Sequence, residues 1–239
     1  MILYALRSAV IVLLTAGCSA MASLANSLGG GEAAASRVMC WWGKAFIRLG
    51  GWAVRVDGME HLPSGGAVLV SNHQSLIDIP LLLFAFRRPV RFLAKRELGK
   101  VPLLGNAMAV AGNLFIDRDD PRDAVRMLRN ASARLSAGDL VSIFPEGRRT
   151  LDGTIGEFKP GAFQLARMSG APVVPVYIDG GFRALPRGAR RFRPARLAVR
   201  VLPPLSQEER AQGTKERIAE VVRERILSAA SAAGGEGRG

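Results

Sequence analysis

The stretch AVLVSNHQSLID, Ala67 to Asp78, decides the fold. Its first five residues are mostly apolar and β-branched and suit a strand, while the run IPLLLFAF at 79–86 suits a buried helix. Asn72 to Asp78 is therefore a polar turn at the carboxyl end of a strand, the place where ligands collect in open α/β sheets.

Working outward, the same alternation repeats. Short β-rich runs occur at Trp52 to Val56, Ala67 to Ser71, Val90 to Ala94, Asn113 to Ile116, Leu140 to Phe144, Val173 to Ile178 and Arg196 to Leu202, with helical segments between them. Asp119-Asp120-Pro121 predicts a helix start before Arg122 to Ser136, and Gly138 ends it. Ser206 with Glu209 predicts a capping box opening a final helix to about Ala230. The expectation is an α/β domain over residues 50–230, a mixed, mostly parallel sheet flanked by helices. Residues 231–239 are small and polar and are expected to form a disordered tail. A chain of 239 residues, 49% of them hydrophobic, can bury one core of this kind.

Residues 1–49 are expected to form a membrane-associated helical hairpin. Ser8 to Leu24 carries no charge, a length at the lower limit for spanning hydrocarbon, and also fits a signal peptide. From Arg37 to Leu49, apolar Val38, Trp41, Trp42, Ala45, Phe46 and Leu49 share one side of a helix, and Arg37, Lys44 and Arg48 another. The stripe centres lie roughly 110° apart, which lets rings enter a headgroup boundary while basic side chains reach phosphates. A surface helix docked on the core by the same stripe is the competing reading. Gly29-Gly30-Gly31 supplies the bend.

Lys and Arg number 33 against 20 acidic residues, so the net charge of +13 calls for a polyanionic partner. The charge is clustered at Arg87, Arg88, Arg91, Lys95, Arg96 and Lys100, and again from Arg183 to Arg196, without the aromatic platforms or zinc spacing of a nucleic-acid reader. Nucleic acid is not an expected partner. Cys18 and Cys40 make neither a disulfide framework nor a metal site, which points to the cytosol. Cys18 sits in only a faint lipoprotein-like context.

Within the turn, His73 and Asp78 combine a base that titrates near neutrality with a carboxylate able to fix its tautomer. Five residues apart, they would be separated by roughly 140° on a continuous helix, so contact requires the turn. The residue types also suit a capping Asp78 and a His73 that satisfies turn backbone, and alone they favour that plainer role. His61, in a Gly-Met-Glu-His-Leu-Pro turn, is read as structural.

Four ordered segments change this balance. They are Asn72 to Asp78, Gly112 to Arg118 (GNLFIDR), Phe144 to Thr150 (FPEGRRT) and Val174-Pro175-Val176. Together, over residues 50–205, they resemble the glycerolipid acyltransferase superfamily, in particular 1-acylglycerol-3-phosphate acyltransferases with their NHxxxxD motif. Ala94 to Leu98 and Val101 to Gly105 have the same look. Arg148 and Thr150 depart from the family's threonine and serine.

The resemblance implies that His73 deprotonates an acceptor hydroxyl, which attacks an acyl thioester while Asp78 steadies the imidazolium. It further implies substrate contacts from Asn72, Lys95, Asp117, Arg118, Glu146, Gly147 and Arg149. Arg118 and Arg149 are the expected phosphate ligands, and Glu146 is expected to hold Arg149 or the acceptor's hydroxyl. Oxyanion donors are expected among backbone N–H groups after His73 or around Gly147. No metal or cofactor is implied; the donor is acyl carrier protein or coenzyme A thioester. The expected acceptor is lysophosphatidate, with a lyso-ornithine lipid, glycerol 3-phosphate or another lysophospholipid as the alternative. Membrane lipids are the other expected partners, at the cytosolic face of the inner membrane. A serine hydrolase using Ser75 and a non-catalytic membrane module are the competing classes.

Overall fold

The computed structural model describes residues 2–86, 88–117 and 120–236. Seven strands form one sheet: β1 (Ala53–Asp57), β2 (Ala67–Ser71), β3 (Val90–Lys95), β4 (Leu114–Ile116), β5 (Leu140–Ile143), β6 (Val173–Asp179) and β7 (Arg196–Val201). Each lies within two residues of its sequence expectation. Their order is β1-β7-β6-β2-β5-β3-β4. All pairings are parallel except β6 with β7. β2 sits in the middle with every residue buried, as a parallel strand covered on both faces requires. β7, next to the edge, alternates buried Leu197, Val199 and Val201 with more exposed residues.

The helices are α1 (Ile2–Ala25), α2 (Gly31–Gly50), α3 (Asp78–Ala85), α4 (Leu104–Val110), α5 (Pro121–Ser136), α6 (Gln164–Ser169), α7 (Gly181–Ala184), α8 (Gln207–Gln212) and α9 (Lys215–Glu236). α5 starts as expected: Asp120 accepts from Arg122 N–H ahead of Pro121 at the first turn. The capping box at Ser206 and Glu209 forms, but it opens only the short α8. The chain turns extended at Gly213 and restarts as α9, which continues past Ala230 to Glu236, into the segment expected to be without structure.

α1 and α2 form an antiparallel hairpin. Its bend falls at Asn26–Gly30, where Gly29 adopts φ +85°. Trp42 Nε1 donates to Thr15 Oγ1 at 3.0 Å and an Arg7 guanidinium nitrogen to Gly50 O at 3.3 Å, so the two helices run back along one another. The expected stripe on α2 divides in two. Phe46 and Ile47 are buried in the same core as β2 and β6, and Phe46 packs with Trp42, Trp52 and Phe192. Docking thus claims that half, and the hairpin is built into the domain rather than hung from it. Trp41 stays 55% exposed, on a face with Arg37, Lys44 and Arg48. On α1, Leu6, Leu13 and Leu24 form an exposed apolar ridge, which Leu28 extends into the bend. The hairpin is long and apolar enough to cross a membrane, and that outward ridge suits membrane association.

The first basic cluster is mostly engaged internally. Arg88 donates to the carbonyls of Pro63, Gly65 and Gly138, and Arg96 pairs with Asp123 at 2.6 Å. Arg91, buried, joins Glu32 and Ser36 of α2 to Asp139. Arg87 lies outside the described residues.

Candidate active site

β2 ends at Ser71, and Asn72 continues its pairing by side chain. Its amide donates to Ile178 O (2.8 Å) and accepts from Ile178 N–H (2.9 Å). Asn72 is fully buried and clamped on β6, which fixes the course of the turn. The chain then bends so that His73 Nδ1 lies 2.8 Å from Asp78 Oδ2. The same oxygen accepts from Gln74 N–H (2.7 Å) and Ser75 N–H (2.9 Å). Asp78 therefore organises the turn and orients the imidazole at once.

A buried carboxylate oxygen with three donors around it only accepts, so Nδ1 carries the proton and Nε2 is left as the basic nitrogen. The His73 side chain is 15% exposed while Asp78 is fully buried, which leaves the ring's free edge as the part that meets solvent. Phe144 stacks on the imidazole, centroids 4.0 Å apart. Together these contacts fix the ring in position and tautomer before any substrate arrives.

Glu146 serves this geometry in an unexpected way. It holds neither Arg149 nor an open cleft: Oε1 accepts from His73 N–H (2.8 Å) and Oε2 from Gly156 N–H (3.2 Å). Burial raises its pKa, and those two N–H groups partly offset the rise. Thr150 N–H donates to His73 O at 3.0 Å, so the FPEGRRT loop grips the backbone of His73 on both sides. Gly147, at φ +74°, makes the turn with its N–H on Phe144 O. Of the expected oxyanion donors, the N–H groups of Gln74 and Ser75 are already engaged on Asp78 and that of Gly147 on Phe144 O.

Arg149 is half-buried beside the pair. Burial lowers its pKa first, Arg187 lowers it further, and Asp78 acts the other way. Lys95 and Asp117 stand at the carboxyl ends of β3 and β4, the same edge of the sheet but on its flank. There Lys95 pairs with Glu97 at 2.8 Å, and Asp117 lies 3.8 Å from Arg96. Arg118 lies outside the described residues.

Ser75 is fully buried, with Oγ donating to Leu185 O at 2.8 Å, a position that denies it a nucleophile's access. Gly181 went unnoticed in the sequence. A Cβ there would stand 2.6 Å from Asp78 Oδ1 and 3.2 Å from Ser75 Cβ, so only glycine lets α7 press against the carboxylate. The Gly180-Gly181 doublet just beyond Val174-Pro175-Val176 was the available signal. On the far side of Phe144 an apolar cavity of about 280 Å³ lies between α5, α6 and the sheet, lined by Leu93, Met127, Leu128, Ile143 and Leu165.

This site can take a proton from a hydroxyl beside fixed positive charge, next to an apolar cavity. A family model described as Acyltransferase matches residues 53–179, which include His73, Asp78, Glu146 and Arg149. The 1-acyl-sn-glycerol-3-phosphate acyltransferase of Saccharomyces cerevisiae is 32% identical over 94% of this chain and 77% of its own length. The alpha form from Bos taurus is 35% identical over 80% of this chain and 67% of its own. A chloroplastic relative from Arabidopsis thaliana is 39% identical over 58% of this chain, which spans only 39% of that protein. Among solved structures, the 1-acyl-sn-glycerophosphate acyltransferase of Thermotoga maritima superposes with a TM-score of 0.70 at 28% identity, covering 93% of this chain and 97% of that one. Matched by the family model over more than half its length, the chain belongs to the acyltransferase family.

Proposed function

We propose that this protein transfers a fatty acyl group from a thioester of acyl carrier protein or coenzyme A to the free hydroxyl of 1-acylglycerol 3-phosphate, giving phosphatidate. The observation that carries the reading is the 2.8 Å contact of His73 Nδ1 with a buried, triply bonded Asp78, beside half-buried Arg149. His73 Nε2 takes the hydroxyl proton as the oxygen attacks the thioester carbon. The imidazolium, steadied by Asp78, returns that proton to the departing thiolate as the tetrahedral intermediate collapses. Arg149 answers the acceptor's phosphate, the cavity behind Phe144 is sized for part of an acyl chain, and Lys95 is a second, weaker phosphate candidate. The outward ridge of α1 would sit in the inner membrane, with the catalytic domain on its cytosolic face. The relatives' printed names support the choice of acceptor.

The test is a panel assay. Purified full-length protein receives the thioester of a radiolabelled fatty acid with acyl carrier protein or with coenzyme A, together with lysophosphatidate, glycerol 3-phosphate, lyso-ornithine lipid or other lysophospholipids in mixed micelles. The expected product is phosphatidate. Turnover confined to a phosphate-free acceptor would overturn the reading, and the donor arm tells which thioester is used.

A further inference from the structure

Two walls rise over His73. One is the loop from Gly147 to Gly153, which carries Arg149. The other is the segment from Gly180 to Ala189, which follows β6. Three contacts tie this second wall to the catalytic turn. Ser75 Oγ donates to Leu185 O (2.8 Å), Phe182 N–H to Gln74 Oε1 (3.5 Å), and Gly181 abuts Asp78. The walls meet where Phe182 lies against Gly153, so close that a Cβ on that glycine would be 3.0 Å from the ring.

Just past Leu185 the chain turns tightly, with Ala189 N–H donating to Pro186 O and Gly188 at φ +85°. Arg187 occupies this turn, exposed, two residues from the Ser75 anchor. Arg183, earlier in the same wall, is held by Asp179 at 2.7 Å. Among the described residues neither Arg187 nor Arg149 makes an ion pair. Their charges nevertheless bear on one another, since Arg187 contributes to the lowered pKa of Arg149. The fold thus carries a guanidinium group on each of the two segments that flank the catalytic turn, like charges that bear on one another, with Asp78 acting against them at Arg149.

We propose that Arg187 and Arg149 grip one phosphate from the two walls of the cleft, and that Arg187 thereby sets the preference for an acceptor carrying a phosphomonoester. A phosphomonoester bears about −1.5 to −2 charges near neutrality and offers three acceptor oxygens, enough for two arginine forks. A phosphodiester offers less charge and a neutral glyceride none. The inference rests on the acceptor reading above and deepens it.

The experiment compares wild type, Arg187→Gln, Arg187→Lys and Arg149→Gln in mixed micelles at fixed surface concentration. KM and kcat are measured for lysophosphatidate, and Ki for neutral monoacylglycerol as a competing ligand. Arg187→Gln is expected to raise the KM for lysophosphatidate on the order of 10- to 100-fold, the loss of one charge-assisted contact, with kcat within about threefold. The Ki for monoacylglycerol should not move, and Arg187→Lys should recover part of the KM. An unchanged KM in Arg187→Gln overturns the proposal. So does an equal rise in KM and Ki, because the turn would then be only structural. If Arg149→Gln loses affinity while Arg187→Gln does not, this proposal falls and the acceptor reading stands. A wild type that ignores lysophosphatidate removes both.

Discussion

The middle and the flank of one sheet edge make an instructive pair. At the ends of β2, β5 and β6, the motif residues Asn72, His73, Asp78 and Glu146 are mostly buried and bound to one another through backbone groups of neighbouring strands. At the ends of β3 and β4, the motif residues Lys95 and Asp117 are partly or largely exposed and meet close sequence neighbours or a surface arginine. Both sets sit at strand ends that favour ligand sites. The middle set is held by elements from distant parts of the chain, which is what fixes the imidazole in place. Recurrence of a residue in a motif therefore does not measure its distance from the chemistry.

Substitutions can break this contrast. Asp78→Asn puts a neutral amide where one carboxylate oxygen serves His73 Nδ1, Gln74 N–H and Ser75 N–H: with its oxygen inward the imidazolium loses its counter-charge, and with its NH2 inward all three lose their acceptor. We expect kcat to fall on the order of 10³- to 10⁴-fold with modest loss of stability, read by steady-state kinetics and thermal melting together. A kcat within tenfold of wild type would remove Asp78 from the mechanism.

Glu146→Gln is expected to have a smaller effect. One backbone donor, on His73 or Gly156, loses its partner, so stability should drop by about 1–3 kcal/mol and kcat by roughly tenfold as His73 loosens. This variant also has a pH signature. Because burial raises the Glu146 pKa above 4.5, the folded state holds this proton more tightly than the unfolded one. Its contribution to stability is then full below the unfolded value and is lost as pH rises through the folded one. Melting temperatures of wild type and Glu146→Gln across this window should differ in slope, the wild type losing more with rising pH. Equal slopes would mean that Glu146 does not titrate there.

On the flank, Asp117→Asn should change kcat by less than about threefold and stability by under about 1 kcal/mol, since its partner Arg96 also holds Asp123. A large loss of kcat there would erase the contrast between the two regions.

Much of this was legible from the chain alone. Strand and helix positions follow from local apolar periodicity and capping, which is why all seven strands and the start of α5 could be placed, and why the break at Gly213 could not: a capping box marks where a helix starts, not how far it runs. The pairing of His73 with Asp78 was readable because it closes within one turn. Other assignments depended on residues far apart in sequence. The Asn72 amide meets Ile178, Glu146 meets His73, Gly181 presses on Asp78, and Phe46 leaves the outer face of α2 for the core. Sequence by itself determined the elements and the order of the motifs, because those rest on nearest-neighbour geometry. Tertiary structure alone decided which partners the motif residues take, because a side chain's partner is settled by how distant strands stack.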